Sequence, residues 1–121
     1  MKLTLYTEDY FDAAHFIEEY DGKCANLHGH TWKICIWVRG DEQDIDARGI
    51  LWDFGNLKKI VSEFDHKNLN EVLNVNPTAE NIVLYAYKKL KKEYPGLDFK
   101  VRVYEKIIRK ESYCEAGDFD V

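Results

Sequence analysis

The sequence has no long apolar run, only two prolines in 121 residues, and a deficit of positive charge. A membrane-spanning helix needs about 18 or more consecutive apolar residues, so we expect no membrane partner. The formal net charge is −5. This argues against a nucleic-acid partner, because nucleic-acid binding normally requires a basic face. A short patch of Lys or Arg is still enough to hold a phosphorylated small molecule.

The N-terminal residues lack the apolar stretch of a signal peptide. The three cysteines, Cys24, Cys35 and Cys114, are odd in number, so they cannot all pair within one chain. Together these features predict a cytoplasmic protein with reduced thiols. The length fits one domain over residues 1–121, without a repeat or a linker.

Hydrophobic periodicity predicts both strands and helices. Apolar and polar residues alternate over 2–8, with an extension over 11–16, and again over 31–39 and 98–107. Helical spacing occurs over 55–64, behind a cap at Asp53, and over about 78–93. The order of strands, helices and strand indicates an α+β fold with helices on one face of a mainly antiparallel sheet.

Three of the four histidines are spaced like metal ligands. His28 and His30 flank Gly29 and share the strand face of Trp32, while His15 follows two alanines. Three histidines without an obligatory fourth protein ligand are typical of a catalytic zinc site with an open position. The alternative is that they are ordinary hydrogen-bonded histidines, since spacing alone does not bring His15 to the other two.

Cys24 lies four residues before His28. A thiol close to a cation has a larger thiolate fraction, so Cys24 could be a base, a nucleophile, a fourth metal ligand, or a small buried residue. The pair Asp65-His66 at the end of the first helix could supply an acid–base group and its charge partner. Helix ends often carry His for the dipole alone, so this pair is weak evidence by itself.

Glu105 falls on the strand face that also carries Phe99, Val101 and Val103. A buried carboxylate needs a partner, and a ligand with two N–H donors would satisfy it. The alternative is that the strand has already reached solvent at Glu105.

Six segments, in order, resemble the 6-pyruvoyl-tetrahydropterin synthase family. They are FDAAH at 11–15, CANLHGH at 24–30, LWDF at 51–54, FDHKNLN at 64–70, PTAEN at 77–81 and VRVYE at 101–105. The resemblance implies a T-fold, in which a four-stranded antiparallel sheet carries two helices on one face. It also implies that the sheets of several subunits join into a barrel, usually in a homohexamer.

The resemblance further implies roles for single residues, with 7,8-dihydroneopterin triphosphate as substrate. The zinc ligands would be His15, His28 and His30. Cys24 would accept a proton, and Asp65 and His66 would form the acid–base relay. Glu105 would anchor the pterin in a pocket lined by Thr78 and Glu80, which could come from a neighbouring subunit.

The spacing of Cys24 before HGH resembles that of bacterial and archaeal 6-carboxytetrahydropterin synthases, which implies a lyase of the queuosine (7-deazapurine) pathway. Animal 6-pyruvoyl enzymes have a longer gap, and members that make a hydroxymethyl pterin tend to have Glu at this position, so that role is disfavoured. Two alternatives stay open. One is 6-pyruvoyl-tetrahydropterin synthesis from the same substrate, and the other is a non-catalytic zinc-stabilised module in which Cys24 completes a tetrahedron.

The chain departs from the family pattern after Glu105, where KIIRKES replaces Thr and small residues. This predicts that the last strand continues further. It also makes Glu111 a rival to Glu105 as the pterin anchor.

Overall fold

The computed structural model describes residues 1–121. In chain order its elements are β1 (Lys2–His15), β2 (His28–Asp41), α1 (Asn56–Phe64), β3 (Lys67–Asn68), α2 (Leu69–Val72), α3 (Ala79–Glu93), β4 (Asp98–Lys106) and β5 (Ser112–Gly117). Two 3-10 turns, Lys23–Ala25 and Glu42–Asp44, lie in the connections.

All strands form one sheet in the order β3-β1-β2-β4-β5. The four long strands pair antiparallel, whereas the two-residue β3 pairs parallel with β1. The predicted α+β class and the four-stranded antiparallel sheet are therefore confirmed, with β3 as a small addition at one edge.

One face of the sheet packs against α1 and α3. Alternation in β2 turns every second residue towards the helices, and these residues are fully buried: Trp32, Ile34, Ile36 and Val38. Phe64 of α1 lies 5.3 Å from Phe11 of β1, measured between ring centroids. The resulting core is one cluster of 22 buried residues. None of the helices combines the length and apolar character required to cross a bilayer.

The helix starts differ slightly from the prediction. Asp53 does not cap α1, because the N-cap position is Gly55. The Asp53 carboxylate instead accepts the Gly55 N–H at 2.8 Å, in the turn that precedes the helix. Thr78 precedes α3 as its cap, and its hydroxyl accepts the Asn81 N–H at 3.1 Å.

The strand that carries Glu105 continues for only one residue after it, so the predicted longer extension through KIIRKES is wrong. β4 ends at Lys106, the chain turns with Arg109 at φ 68°, and β5 returns beside β4. Glu111 lies exposed in this turn, just before β5. The sequence KIIRKES has few of the usual turn residues, so alternation alone did not indicate the reversal.

Both edges of the sheet leave backbone groups without strand partners. β5 forms one edge, and β3 covers only Ala13 and Ala14 of β1 at the other. An exposed edge offers unpaired N–H and C=O groups with which another chain can pair. We therefore expect a homo-oligomer, with the hexamer favoured by the family resemblance, and sedimentation velocity at micromolar and lower concentrations measures it. A monomer at all concentrations would contradict this expectation.

Candidate metal centre and active site

Strand pairing brings the three predicted histidines together. His15, the last residue of β1, is directly opposite His28, the first residue of β2, and Ala13 is opposite His30. The imidazole centroids lie 4.6 Å apart for His15 and His28, and 4.7 Å apart for His28 and His30. His15 therefore reaches the His-x-His pair, which spacing alone did not establish.

Hydrogen bonds orient two of these rings. Nδ1 of His15 lies 2.7 Å from the Pro77 carbonyl, and Nδ1 of His28 lies 2.7 Å from the Asn26 carbonyl. A carbonyl oxygen only accepts, so each Nδ1 carries the proton and each Nε2 keeps its lone pair. This is how metal-binding histidines are usually held.

The free nitrogens of the cluster fit a metal ion. Nε2 of His15 and Nε2 of His30 are buried and have no hydrogen-bond partner. Burial lowers the pKa of both imidazoles, and the negative charge of Glu105 opposes this effect only in part. Neutral imidazole is the form that binds metal. Orphaned buried acceptors on neutral rings, with nitrogen as the donor atom, match the ligand set of zinc.

Glu105 is the fourth member of this group. Its Oε1 lies 3.4 Å from Nε2 of His30 and 3.8 Å from Nε2 of His15. The potential ligand atoms of His15, His28, His30 and Glu105 all lie within 4.8 Å of one another. The sequence indicated a partner for Glu105 but not that the partners are the histidines. The β2–β4 register, with Lys33 opposite Tyr104, produces this contact.

Cys24 does not belong to the cluster. It lies in the 3-10 turn Lys23–Ala25, where its carbonyl accepts the Ile17 N–H at 2.7 Å. Within one protomer, the residue that completes the group of four is therefore Glu105, and the arrangement of three histidines closed by Cys24 is not observed.

Asp65 and His66 form the predicted pair. Nδ1 of His66 lies 3.0 Å from Oδ2 of Asp65, which leaves Nε2 of His66 for other partners. His66 has φ 58°, an uncommon conformation for a residue other than glycine. The pKa of Asp65 is lowered, chiefly because its carboxylate accepts the Asp12 backbone N–H and also because it faces His66.

One cleft is lined by members of both the histidine cluster and the Asp65-His66 pair. This cleft has a volume of about 870 Å³, and its walls include His30, Glu105 and His66. Lys67 and Lys106 lie at the same cleft, and their positive charge was not identified from the sequence as part of the site.

Three predicted site residues belong neither to the two side-chain clusters nor to the walls of the cleft. These residues are Cys24, Thr78 and Glu80. Thr78 uses its hydroxyl to cap α3, and Glu80 lies exposed in the first turn of that helix. The negative charge of Glu80 adds to burial in raising the pKa of Cys114. Roles in catalysis or pterin binding for these three residues remain predictions that require a neighbouring subunit or movement of the loop.

Together these features define an α+β protein in which three histidines and Glu105 form a possible metal-binding cluster near an Asp–His pair. The sequence profile of 6-pyruvoyl tetrahydropterin synthase matches residues 4–116. The chain therefore belongs to the 6-pyruvoyl tetrahydropterin synthase family.

Two relatives and one solved structure illustrate the likeness. The dihydroneopterin monophosphate aldolase of Pyrococcus furiosus is 39% identical, with 100% of this chain and 96% of that protein covered. The 6-carboxy-5,6,7,8-tetrahydropterin synthase of Bacillus subtilis is 34% identical, covering 87% of this chain and 78% of that protein. The structure of 6-pyruvoyl tetrahydropterin synthase from Caenorhabditis elegans superposes with a TM-score of 0.71 at 26% identity, covering 96% of each chain.

The metal centre predicts about one zinc ion per chain, with Zn–N distances near 2.0–2.1 Å. His28→Ala or His30→Ala removes a nitrogen ligand and should empty the site, as measured by elemental analysis of the purified protein. His66→Ala is the matched control, because it removes the fourth histidine of the chain without touching the cluster. Pure protein without zinc that stays active in chelator would contradict the assignment.

Proposed function

We propose that this protein is a zinc-dependent lyase that converts 7,8-dihydroneopterin triphosphate to 6-carboxy-5,6,7,8-tetrahydropterin, releasing triphosphate and acetaldehyde. One observation supports this most: His30 and Glu105, two members of the histidine cluster, line the same cleft as His66, whose Nδ1 is paired with Asp65. The name of the Bacillus subtilis relative agrees with this reaction. A cytoplasmic location and a place in queuosine biosynthesis belong to the same proposal.

His15, His28 and His30 would hold the zinc ion. When bound, zinc supplies a Lewis acid that acidifies nearby hydroxyl groups and stabilises negative charge on oxygen. The protein contributes rigidity, because two of the three rings are fixed by carbonyl oxygens and His15 is only 1% exposed.

Glu105 would bind the pterin. Its carboxylate is 27% exposed, lies in the cleft wall, and makes no hydrogen bond to the nearby Nε2 atoms of His15 and His30. The amino-pyrimidine edge of a pterin offers two N–H donors, which a carboxylate accepts as a paired, charge-assisted interaction. This binding would place the pterin side chain beside the histidine cluster.

Two groups would move protons. Asp65 holds Nδ1 of His66, so Nε2 of His66 is the nitrogen that can accept or return a proton. The Cys24 thiolate would move a proton at the side-chain carbon next to the ring. Loop movement or a neighbouring subunit would bring Cys24 to the substrate. Triphosphate leaves, and cleavage of the side chain then releases acetaldehyde, while one water molecule is consumed and supplies an oxygen of the new carboxylate.

A second candidate is aldolase chemistry on a phosphorylated dihydroneopterin. The relative named for this activity aligns with the whole chain at 39% identity. A retro-aldol step removes a proton from a side-chain hydroxyl and breaks the adjacent carbon–carbon bond, so it uses the same cleft and the same proton acceptors. Cys24, where hydroxymethyl-forming members tend to have Glu, weighs against it. Synthesis of 6-pyruvoyl-tetrahydropterin, without carbon–carbon cleavage, is the other catalytic alternative.

Product analysis separates these reactions. We expect the zinc-loaded protein, incubated with 7,8-dihydroneopterin triphosphate, to form 6-carboxytetrahydropterin, acetaldehyde and triphosphate, identified by mass spectrometry. A parallel incubation uses the monophosphate. A hydroxymethyl pterin formed from either ester would contradict the proposal and identify aldolase activity. A 6-pyruvoyl product would contradict it and identify 6-pyruvoyl-tetrahydropterin synthase activity. No product from either ester would favour the non-catalytic module.

Cys24→Ala tests the role of the thiol. If Cys24 moves a proton, turnover should fall by roughly 100-fold or more, while zinc content stays at the wild-type level because the histidines are intact. Cys114→Ala is the matched control, since Cys114 is a second partly buried cysteine outside the cleft. Loss of zinc from the Cys24 variant would instead identify the thiol as a metal ligand.

Glu105→Gln keeps the shape of the side chain but turns one acceptor into a donor. Pterin binding should weaken by roughly 1.5–3 kcal/mol, the usual worth of a hydrogen bond to a charged group. Isothermal titration with a pterin measures this, and zinc content should not change. Glu111→Gln is the control, because Glu111 is exposed in the β4–β5 turn. Zinc loss in Glu105→Gln would identify Glu105 as a metal ligand. Loss of pterin binding in Glu111→Gln but not in Glu105→Gln would identify Glu111 as the pterin anchor.

A further inference from the structure

The backbone of Asp12 holds the Asp65-His66 pair from both sides. The Asp12 N–H donates to Oδ1 of Asp65 at 3.0 Å, and the Asp12 carbonyl accepts the His66 N–H at 2.7 Å. The parallel pairing of β3 with Ala13 and Ala14 begins at the next residue. These contacts fix His66 in its positive-φ conformation beside the cleft.

The side chain of Asp12 lies beside the same pair. Thr31, its partner across β1 and β2, donates its hydroxyl to Oδ1 of Asp12 at 2.6 Å. The potential ligand atoms of Asp12, Asp65 and His66 all lie within 4.8 Å of one another. His66 therefore has two carboxylates near its ring, and only Asp65 is hydrogen-bonded to it.

Other charges surround this group. Lys58 of α1 contributes to the field at Asp65 and lies 3.9 Å from Asp9 of β1. Lys67 follows His66 in the chain, and Lys106 of β4 lies at the same cleft. Among these cations, Asp12 is a second negative charge close to the His66 ring, in addition to Asp65.

We propose that Asp12, held in place by Thr31, is a positioning residue that acts through His66 and stabilises its protonated form during turnover. This inference rests on the lyase function proposed above. In the proton-transfer step, Nε2 of His66 takes the proton of a substrate hydroxyl, and the electron pair of that O–H bond stays on the substrate oxygen. Asp65 and Asp12 then both face the imidazolium until the proton is returned.

A double-mutant cycle tests this coupling. Asp12→Asn keeps the acceptor for Thr31 and removes the charge, so kcat should fall about tenfold, with KM and zinc content unchanged. In the His66→Ala background, the same substitution should change kcat less than twofold, because its effect passes through His66. An equal loss of kcat in both backgrounds would overturn the proposal, since a general structural defect acts in either one.

Three further variants refine the cycle. Thr31→Val removes the hydroxyl that holds Asp12 and should lower kcat, whereas Thr31→Ser should restore it. Equal activity of these two variants would contradict a role for the hydroxyl.

Glu8→Gln is the charge control, because Glu8 lies on the same strand and face as Asp12, about 13 Å away. It should leave kcat at the wild-type level, and a tenfold loss there would show that removed charge acts without specificity.

One readout does not depend on turnover. Diethyl pyrocarbonate reacts with neutral imidazole, and His66 is the exposed histidine, with 80% of its side chain accessible. At a fixed pH near 6, Asp12→Asn should raise the modification rate of His66, localised by mass spectrometry, by about threefold. An unchanged rate would overturn the proposal even in an active enzyme. An increased rate in a protein that turns over neither pterin ester would support the Asp12–His66 contact while the lyase function fails.

Discussion

The antiparallel register of β1 and β2 is the constraint on which the site depends. It places His15 opposite His28 and turns both towards the face that carries His30. A slip of one residue would turn every side chain of β1 to the other face and separate the imidazoles. The alternating core residues prevent such a slip, since it would move Phe11, which is 1% exposed, out of the core.

β1 serves both halves of the site because its two faces carry different groups. Its helix-facing positions end in His15, while Asp12 on the opposite face contacts Asp65 and Thr31. The strand thereby sets the distance between the histidine cluster and the Asp65-His66 pair. The β4 strand adds Glu105 to the histidines through its pairing with β2. Strand pairing thus brings together residues that are far apart in sequence.

The sequence predicted the structural features that depend on local periodicity. Alternation in β2 predicted the inward face of His28, His30 and Trp32, and helical spacing predicted α1 and α3 to within a few residues. The contacts of Glu105 with His15 and His30 were not predictable, because they depend on a long-range register between β2 and β4. The β4–β5 reversal at Arg109 was missed because it lacks Gly, Asn or Pro. Cys24 was expected near the histidines because it is close to them in sequence. In the folded chain it is not part of their cluster.

The proposed chemistry requires that three histidines hold a zinc ion and leave one coordination position open. X-ray absorption at the zinc edge of the purified protein is the most direct test, because a sulfur neighbour near 2.3 Å is separated by distance from nitrogen and oxygen neighbours near 2.0–2.2 Å. We expect a nitrogen and oxygen shell near 2.0–2.1 Å without sulfur, and a change in this shell when a pterin is added. A sulfur neighbour near 2.3 Å in a spectrum that the pterin does not alter would show a closed structural site and contradict the account.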